Sequence, residues 1–309
     1  MRRSPGSHRR HLGRELRYAR DTAGLTQKKV AFELKCEQAK VAKLEVELVE
    51  IRFDELETLM RLYDLPETKR EQLREARANS DIPRATTNVP KRPKAYMTLV
   101  DLEGEASEIL SWHSERIPGP LQSEAYMLKQ FEAYVLAQFD LDREAGRSLV
   151  TQLVRERAAR NSLFTTDPAP CYRVILSVSS LLRIPGGWDL KLALDQLDHL
   201  VTLMGNHPRL DLRLLTPQAN ISAVPIDFTV LKFPEPTPDY IHASDFAYIE
   251  YPGDGQKIDK TEPFLESWDE LLKAASSRTE TLDLLTKWAQ DINEQLVTRP
   301  SGQQRGITL

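Results

Sequence analysis

Apolar residues recur every three or four positions through the first quarter of the chain, as they do in amphipathic helices. The first predicted helix runs from about Leu12 to Ala23 and ends at Gly24. Two further helices are predicted from about Phe53 to Tyr63 and from Pro66 to Ala78. Residues 1–11 are rich in arginine and predict either a flexible basic arm that follows phosphates or a disordered terminus.

Two shorter helices are predicted between these, in the stretch LTQKKVAFELKCEQAKVAKLE. Thr26 is placed to cap the first of them, Lys35 and Cys36 make a tight turn, and the second helix begins near Glu37. All five helices together predict an all-α helix-turn-helix domain over residues 12–78.

The second helix of this pair directs Val41 and Leu44 inward, so its other side faces solvent. The residues predicted on that side are Gln38, Ala39, Lys40 and Lys43. Gln pairs well with adenine, and Lys donates to guanine or phosphate, so this surface suits the major groove of double-stranded DNA. The alternative interpretation is a solvated charged face, which is what most charge runs are.

Other polar residues of this region are candidates for contact with the DNA backbone. Gln27 and Lys28 begin the first helix of the pair, and Arg52 precedes the next helix, so these three are predicted to hold phosphates. Arg14, Arg17 and Arg20 fall off the apolar stripe of the first helix, where they would contact the backbone or simply be solvated.

Residues 79–96 contain three prolines and many polar side chains, which predict a linker. An α+β domain is predicted beyond it, over residues 97–296, with residues 297–309 as a flexible tail. The predicted helices are Met97–His113, Ser123–Phe139, Asp140 or Asp142 to Leu163, Gly187–Asn206, Glu262–Ala275 and Arg278–Leu296. The predicted strands are Tyr172–Val178, Leu210–Leu215, Ile226–Phe233 and Tyr240–Tyr251, the last followed by the turn PGDG.

Charge is distributed unevenly between these two regions. Residues 1–96 hold 22 Lys and Arg against 15 Asp and Glu, a balance of +7, whereas the remainder holds 20 against 31, a balance of −11. A polyanion such as DNA is attracted to the first region and repelled by the second. The 309 residues are enough for two cores. No run approaches the roughly 20 apolar residues of a membrane span, and the N-terminus lacks a secretory pattern.

The sequence offers little for catalysis. It has no phosphate-binding glycine loop and no H-E-x-x-H pattern, and we predict neither a cofactor nor a metal site nor an enzyme. Cys36 and Cys171 are far apart in sequence, which fits a reducing cytoplasm. Trp188, Trp268 and Trp288 would line a ligand pocket or, more commonly, pack in the core.

The motif GLTQ, followed by Gln38, Val41, Leu44 and Glu45, resembles helix-turn-helix domains of the xenobiotic-response-element type. Glu37 and Glu47 depart from that pattern, which usually has Ser or Thr and Gly at these places. The segments IPGPLQSEAY, LLRIPGG and QLDHLVTL resemble the C-terminal domain of Scr-family antitoxin-like regulators, the group that includes WhiJ-type regulators. This resemblance implies an effector domain and a small partner protein encoded nearby.

These observations predict a cytoplasmic, sequence-specific transcriptional regulator that binds DNA as a homodimer. Its second domain would sense a ligand or a small partner protein. One alternative is an antitoxin-like protein that mainly neutralises a small partner and uses DNA binding for autoregulation. The other is an enzyme fused to a DNA-binding domain.

Overall fold

The computed structural model describes residues 5–46, 49–80, 93–165, 168–183, 185, 189–223, 225–235, 237, 242–251 and 254–298. The predictions that concern Glu47, Trp188, most of the linker and most of the tail therefore lie outside the described residues. The chain divides into two compact units, one of Met1–Thr87 with Phe233–Ser244 and one of Asn88–Lys232 with Asp245–Leu309.

The first unit contains five helices around one apolar core. They are α1 (Pro5–Thr22), α2 (Gln27–Glu33), α3 (Gln38–Glu45), α4 (Phe53–Leu62) and α5 (Glu67–Ser80). Leu16, Val30, Val41, Leu56 and Leu73 are among the buried residues of the core, so every helix contributes at least one side chain. The helical periodicity of the sequence predicted this arrangement correctly.

The turn between α2 and α3 forms as its residues predict. The Thr26 side chain accepts a hydrogen bond from the Lys29 amide at 3.2 Å and so caps α2. Lys35 has a positive φ of 52°, which reverses the chain, and Cys36 packs against the core. One prediction was wrong, because α1 begins at Pro5 and residues 5–11 belong to a helix and not to an extended arm.

The second unit is a mixed sheet flanked by helices. Its helices are α6 (Lys94–Leu102), α7 (Glu124–Gln138), α8 (Arg143–Ala158), α9 (Val178–Leu182), α10 (Leu190–Asn206), α11 (Glu262–Ala274) and α12 (Arg278–Thr298). Its strands are β1 (Glu108–His113), β2 (Cys171–Ser177), β3 (Leu210–Leu215), β4 (Phe228–Lys232), β5 (Phe246–Tyr251) and β6 (Asp254–Ile258). The predicted fold class, a helical domain followed by an α+β domain, is confirmed.

The strands follow the order β3-β2-β1-β4-β5-β6. β1, β2 and β3 run parallel, and β4, β5 and β6 continue the sheet in antiparallel pairs. Helices in the connections between the parallel strands supply the crossovers that such pairs need. β1 is therefore the strand at which the sheet changes from parallel to antiparallel pairing.

The sequence failed at β1. We predicted a helix from Met97 to His113, but α6 ends at Leu102, a 3₁₀ turn follows over Glu103–Glu105, and Glu108–His113 is a strand. Four consecutive residues of β1 are buried, because neighbouring strands and both sheet faces cover it. A short, continuously apolar run has no period of its own, so it resembles a buried helix segment as much as a strand.

Two edge features were also misjudged. The strand predicted over Tyr240–Tyr251 begins only at Phe246, and β6, which we assigned to a turn, is a polar edge strand. Its alternation is weak because one side faces solvent along most of its length. The predicted strand Leu210–Leu215 is confirmed at both ends.

The two faces of the sheet differ in chemistry. One face buries Leu110, Trp112 and Val230 against Trp268 and Leu271 of α11, which makes a wholly apolar layer. The register places Ser111, Thr229 and Tyr248 beside one another across β1, β4 and β5, on the face that carries polar groups. No helix within the described ranges has both the length and the apolar character of a membrane span.

The newly assigned strand β1 gives a stability prediction. Leu110→Ala should lower the free energy of unfolding of the second unit by about 2–5 kcal/mol, because it opens a cavity in the apolar layer. Leu136→Ala, at a side chain that is 84% exposed on α7, should change it by less than about 0.5 kcal/mol. All four tryptophans lie beyond residue 96, so their fluorescence during urea unfolding follows this unit. Equal effects of the two substitutions would contradict the burial of β1.

Candidate nucleic-acid interface and sheet cavity

The exposed side of α3 carries the polar residues that the sequence placed there. Gln38, Ala39 and Lys43 are exposed, whereas Val41 and Leu44 are buried in the helical core. Lys28 at the start of α2 and Arg52 before α4 are also exposed. The first unit therefore presents a surface with one amide and several cations around α3.

Lys40 differs from its neighbours on α3. Its ammonium forms an ion pair with the buried Glu55 carboxylate, and only 37% of the Lys40 side chain is exposed. Glu55 also accepts a hydrogen bond from the Arg52 backbone amide at 3.2 Å, at the start of α4. Lys40 thus connects α3 to α4, which its position in the sequence did not reveal.

Gln27 is half-buried and links the two helices of the turn. Its side-chain nitrogen donates to Glu45 Oε2 at 2.9 Å, and its oxygen accepts from Gln38 Nε2 at 3.5 Å. These contacts orient the Gln38 amide on the exposed side of α3. The structure therefore places Gln27 behind Gln38, where it can set the direction of a base-reading group.

A buried carboxylate organises this part of the domain. Glu45 accepts hydrogen bonds from Arg20 Nε at 2.5 Å and from the terminal guanidinium nitrogen Nη2 at 3.0 Å. Arg20 also donates to the Leu25 carbonyl oxygen at 2.8 Å. The side chains of Arg20 and Glu45 are only 10% and 4% exposed, and the hydrogen bond to Glu45 raises the pKa of Arg20. Arg20 is thus neither solvated nor available to the DNA backbone, contrary to both alternatives that the sequence left open.

The second unit contains a cavity of about 80 Å³ against the polar face of its sheet. Its walls come from α6, from the segment IPGPLQ that follows β1, from α8 and from β1, β4 and β5. The polar residues that line it are Tyr96, Glu103, His113, Arg116, Gln122, Gln130, Arg157, Arg160, Tyr172, Asp227, Thr229, Tyr248 and Glu250. None of these was predicted as a site residue, although IPGPLQ was singled out as a motif.

Hydroxyl groups connect the floor of the cavity. Ser111 Oγ lies 2.8 Å from His113 Nε2 and 2.8 Å from Thr229 Oγ1. His113 Nδ1 is 3.6 Å from Asp227, which accepts hydrogen bonds from the amide and hydroxyl of Ser114. Burial raises the pKa of Asp227, but the hydrogen bonds from His113 and Ser114 outweigh burial and lower it overall. Asp227 therefore stays ionised.

Two arginines form the opposite wall. Arg160 donates to both carboxylate oxygens of the buried Glu103, and Arg157 donates to Gln122 Oε1 at 3.2 Å. Gly119 lies directly against them, since a Cβ at this residue would come within 2.6 Å of Arg160 and 2.9 Å of Arg157. A glycine is needed here for this close approach, which explains the P-G-P sequence of the motif.

The geometry of the described residues does not favour catalysis. Ser111 is 1% exposed, so its hydroxyl is inaccessible as a nucleophile. Cys36 packs in the helical core, and burial raises the pKa of its thiol. No three metal-binding side chains are grouped within the described ranges. Trp268 packs in the apolar layer and not in the cavity, which was the commoner of its two predicted roles.

The match to the family called Domain of unknown function (DUF5753) covers residues 96–287, well over half of the chain. The chain belongs to this DUF5753 family. A second match, to a Helix-turn-helix domain, covers residues 11–73, which span most of α1 to α5. No curated protein and no solved structure matches the chain. The helix-turn-helix domain makes this DUF5753 protein a DNA-binding regulator by type, and the cavity described above lies within its DUF5753 domain.

The buried ion pair leads to a prediction for the helix-turn-helix domain. Arg20→Leu should destabilise it by about 3–5 kcal/mol, because Glu45 would remain buried without its cation. Arg17→Leu on the same helix is the matched control. Arg17 is 62% exposed and 3.9 Å from Asp21, and such surface pairs contribute about 0–1 kcal/mol. Hydrogen exchange of the α2 and α3 amides in the full chain measures both. Unchanged protection in Arg20→Leu would show that the pair does not hold these helices.

Proposed function

We propose that the protein is a sequence-specific, DNA-binding transcriptional regulator of the xenobiotic-response-element type, related to the WhiJ-like group. The exposed side of α3 carries this proposal, because a glutamine and a lysine lie there on a helix of the right type for a major groove. The balance of +7 over residues 1–96 adds a general attraction to phosphates.

Within this proposal the surface residues divide into two groups. Gln38, Ala39 and Lys43 contact base edges, and Gln27 sets the direction of Gln38. Lys28 and Arg52 contact phosphates and fix the position of the domain on the duplex. Lys40 spends its charge on Glu55, so we assign it to holding α3 against α4, with only its remaining exposed surface near DNA.

We further propose that the protein acts as a homodimer. Repressor-type dimers place two recognition helices about one DNA turn apart, roughly 34 Å, so that each reads one half-site. The DUF5753 domain would then sense a ligand or a small partner protein and change DNA occupancy. The cavity supports the ligand, because a polar concave site is the usual form of a small-molecule pocket.

The second candidate function is an antitoxin-like protein that neutralises a small partner. It is favoured by apolar side chains of α7 that face solvent, since Leu136 is 84% exposed and Leu128 is 44% exposed. A small protein that co-purifies with the tagged chain and protects α7 from hydrogen exchange would support this candidate. Absence of any such protein would leave the ligand-sensing function.

The assignment of Gln38 to base reading can be tested by comparing specific with random DNA. Gln38→Ala should weaken binding to a selected site by about 1–3 kcal/mol and leave binding to random duplex nearly unchanged. Gln72→Ala, at an exposed glutamine on α5, is the matched control and should affect neither. Equal losses on both kinds of DNA would reduce Gln38 to a phosphate contact.

Lys28 should behave in the opposite way. Lys28→Ala should weaken binding to all sequences and lower the slope of log affinity against log salt by about one unit, since one fewer counterion is released. Lys129→Ala, which removes an exposed lysine of the DUF5753 domain, should leave the slope unchanged. Fluorescence anisotropy at several salt concentrations gives both slopes, and identical slopes for the wild type and Lys28→Ala would remove Lys28 from the interface.

The division of labour between the two domains gives a third test. A fragment from Lys94 to the C-terminus should fold cooperatively and fail to bind DNA, because its region carries most of the −11 balance. A fragment of residues 1–80 should bind DNA, though more weakly if dimerisation depends on the second domain. Tryptophan fluorescence follows folding of the first fragment, and anisotropy follows binding of both. DNA binding by the Lys94 fragment at full-chain affinity would refute this division.

A further inference from the structure

The sheet cavity has the size of a small metabolite. A single water molecule needs roughly 10–15 Å³ of such space, so about 80 Å³ accommodates a molecule of about five to eight non-hydrogen atoms. A nucleotide or a peptide is too large for it. The cavity lies entirely within the second unit, between the polar face of the sheet and the arginines of Arg157 and Arg160.

Two polar groups in the cavity walls lack hydrogen-bond partners among the described residues. They are the hydroxyl of Tyr248, a residue that is only 4% exposed, and the side-chain oxygen of Gln130. Buried polar groups in folded proteins almost always have a partner, and those that lack one call for an explanation. A bound molecule with its own hydrogen-bonding hydroxyl would satisfy both groups, whereas an apolar molecule would satisfy neither.

The charges around the cavity favour an anion over a cation. The three carboxylates of its walls already face cations or donors: Glu103 is held by Arg160, Asp227 accepts from Ser114, and Glu250 lies 3.6 Å from Arg116. A cationic ligand would therefore compete with existing partners for every acidic group.

Arg157 supplies the complementary group for an anion. Its guanidinium donates to the neutral amide of Gln122 and lies 5.3 Å from the centre of the Phe131 ring. A guanidinium has five N–H donors in a planar fork that matches a carboxylate. Gly119 packs against Arg157 and Arg160 and limits their movement, so the donors are held in place before any ligand binds.

We propose that this cavity is a binding site for a small hydroxycarboxylate, whose carboxylate contacts Arg157 and whose hydroxyl satisfies Gln130 and Tyr248. This inference deepens the proposed function, because it names the class of ligand that the DUF5753 domain senses. Only the regulatory consequence rests on that function, since binding itself requires nothing of the DNA-binding domain.

The first test uses the full chain and matched pairs of small molecules. L-lactate, glycerate and 3-hydroxybutyrate are the probes, lactamide replaces the carboxylate by a neutral amide, and butyrate lacks the hydroxyl. At millimolar concentration, at least one hydroxycarboxylate should raise the melting temperature followed by tryptophan fluorescence, and the two control molecules should not. No shift with any of the three probes, or an equal shift with lactamide or butyrate, would overturn the proposal.

Two variants locate the site of binding. Arg157→Gln should weaken binding of the active probe at least tenfold in calorimetry, whereas Arg155→Gln, at an exposed arginine of the same helix, should not change it. Tyr248→Phe should also weaken binding, while its melting temperature without ligand stays equal to or above that of the wild type, since a hydroxyl without a partner is removed. Wild-type affinity in both Arg157→Gln and Tyr248→Phe would exclude this cavity, and the Tyr248 variant decides the matter if Arg157→Gln fails to fold.

DNA binding, measured separately by anisotropy, distinguishes failure of this inference from failure of the proposed function. Binding of a hydroxycarboxylate without DNA binding would confirm the site and refute the regulator. DNA binding without any effect of these probes on the melting temperature would refute the site and leave the regulator intact.

Discussion

The carboxylate of Glu45 is the constraint on which the geometry of the helix-turn-helix depends. It is the last residue of α3, and it is held by Arg20 of α1 and by Gln27 of α2. A buried carboxylate without partners would be too costly to keep, so these three helices assemble together or not at all. Because Gln27 also contacts Gln38, the same network reaches the surface that we assign to base reading.

The second domain solves a different problem, which is to hold polar groups on the face of a buried sheet. β1 lies at the change from parallel to antiparallel pairing and carries Trp112 to one face and Ser111 to the other. The segment that follows it returns over the polar face, where Gly119 allows the close approach of two arginines. The same strand thus anchors the apolar layer and forms the floor of the cavity.

The sequence predicted the helical domain well because its signals are local. Helical spacing, the Thr26 cap and the break at Lys35 each act within a few residues. It predicted less of the second domain, since the assignment of β1 depends on partners 60 to 120 residues away, such as Ile175 and Phe228. The ion pairs of Arg20 and Lys40, and the whole cavity, are long-range contacts of the same kind, which no spacing along the chain reveals.

The central claim is that this DUF5753 protein reads a specific DNA sequence through α3. Selection of bound duplexes from a random-sequence pool by the full-length protein tests it most directly, because no operator has to be known beforehand. The account predicts enrichment of one motif, with two half-sites separated by about one helical turn if the protein binds as a dimer. Recovery of duplexes without any common motif, at an affinity set by salt alone, would contradict sequence reading and leave only phosphate attraction.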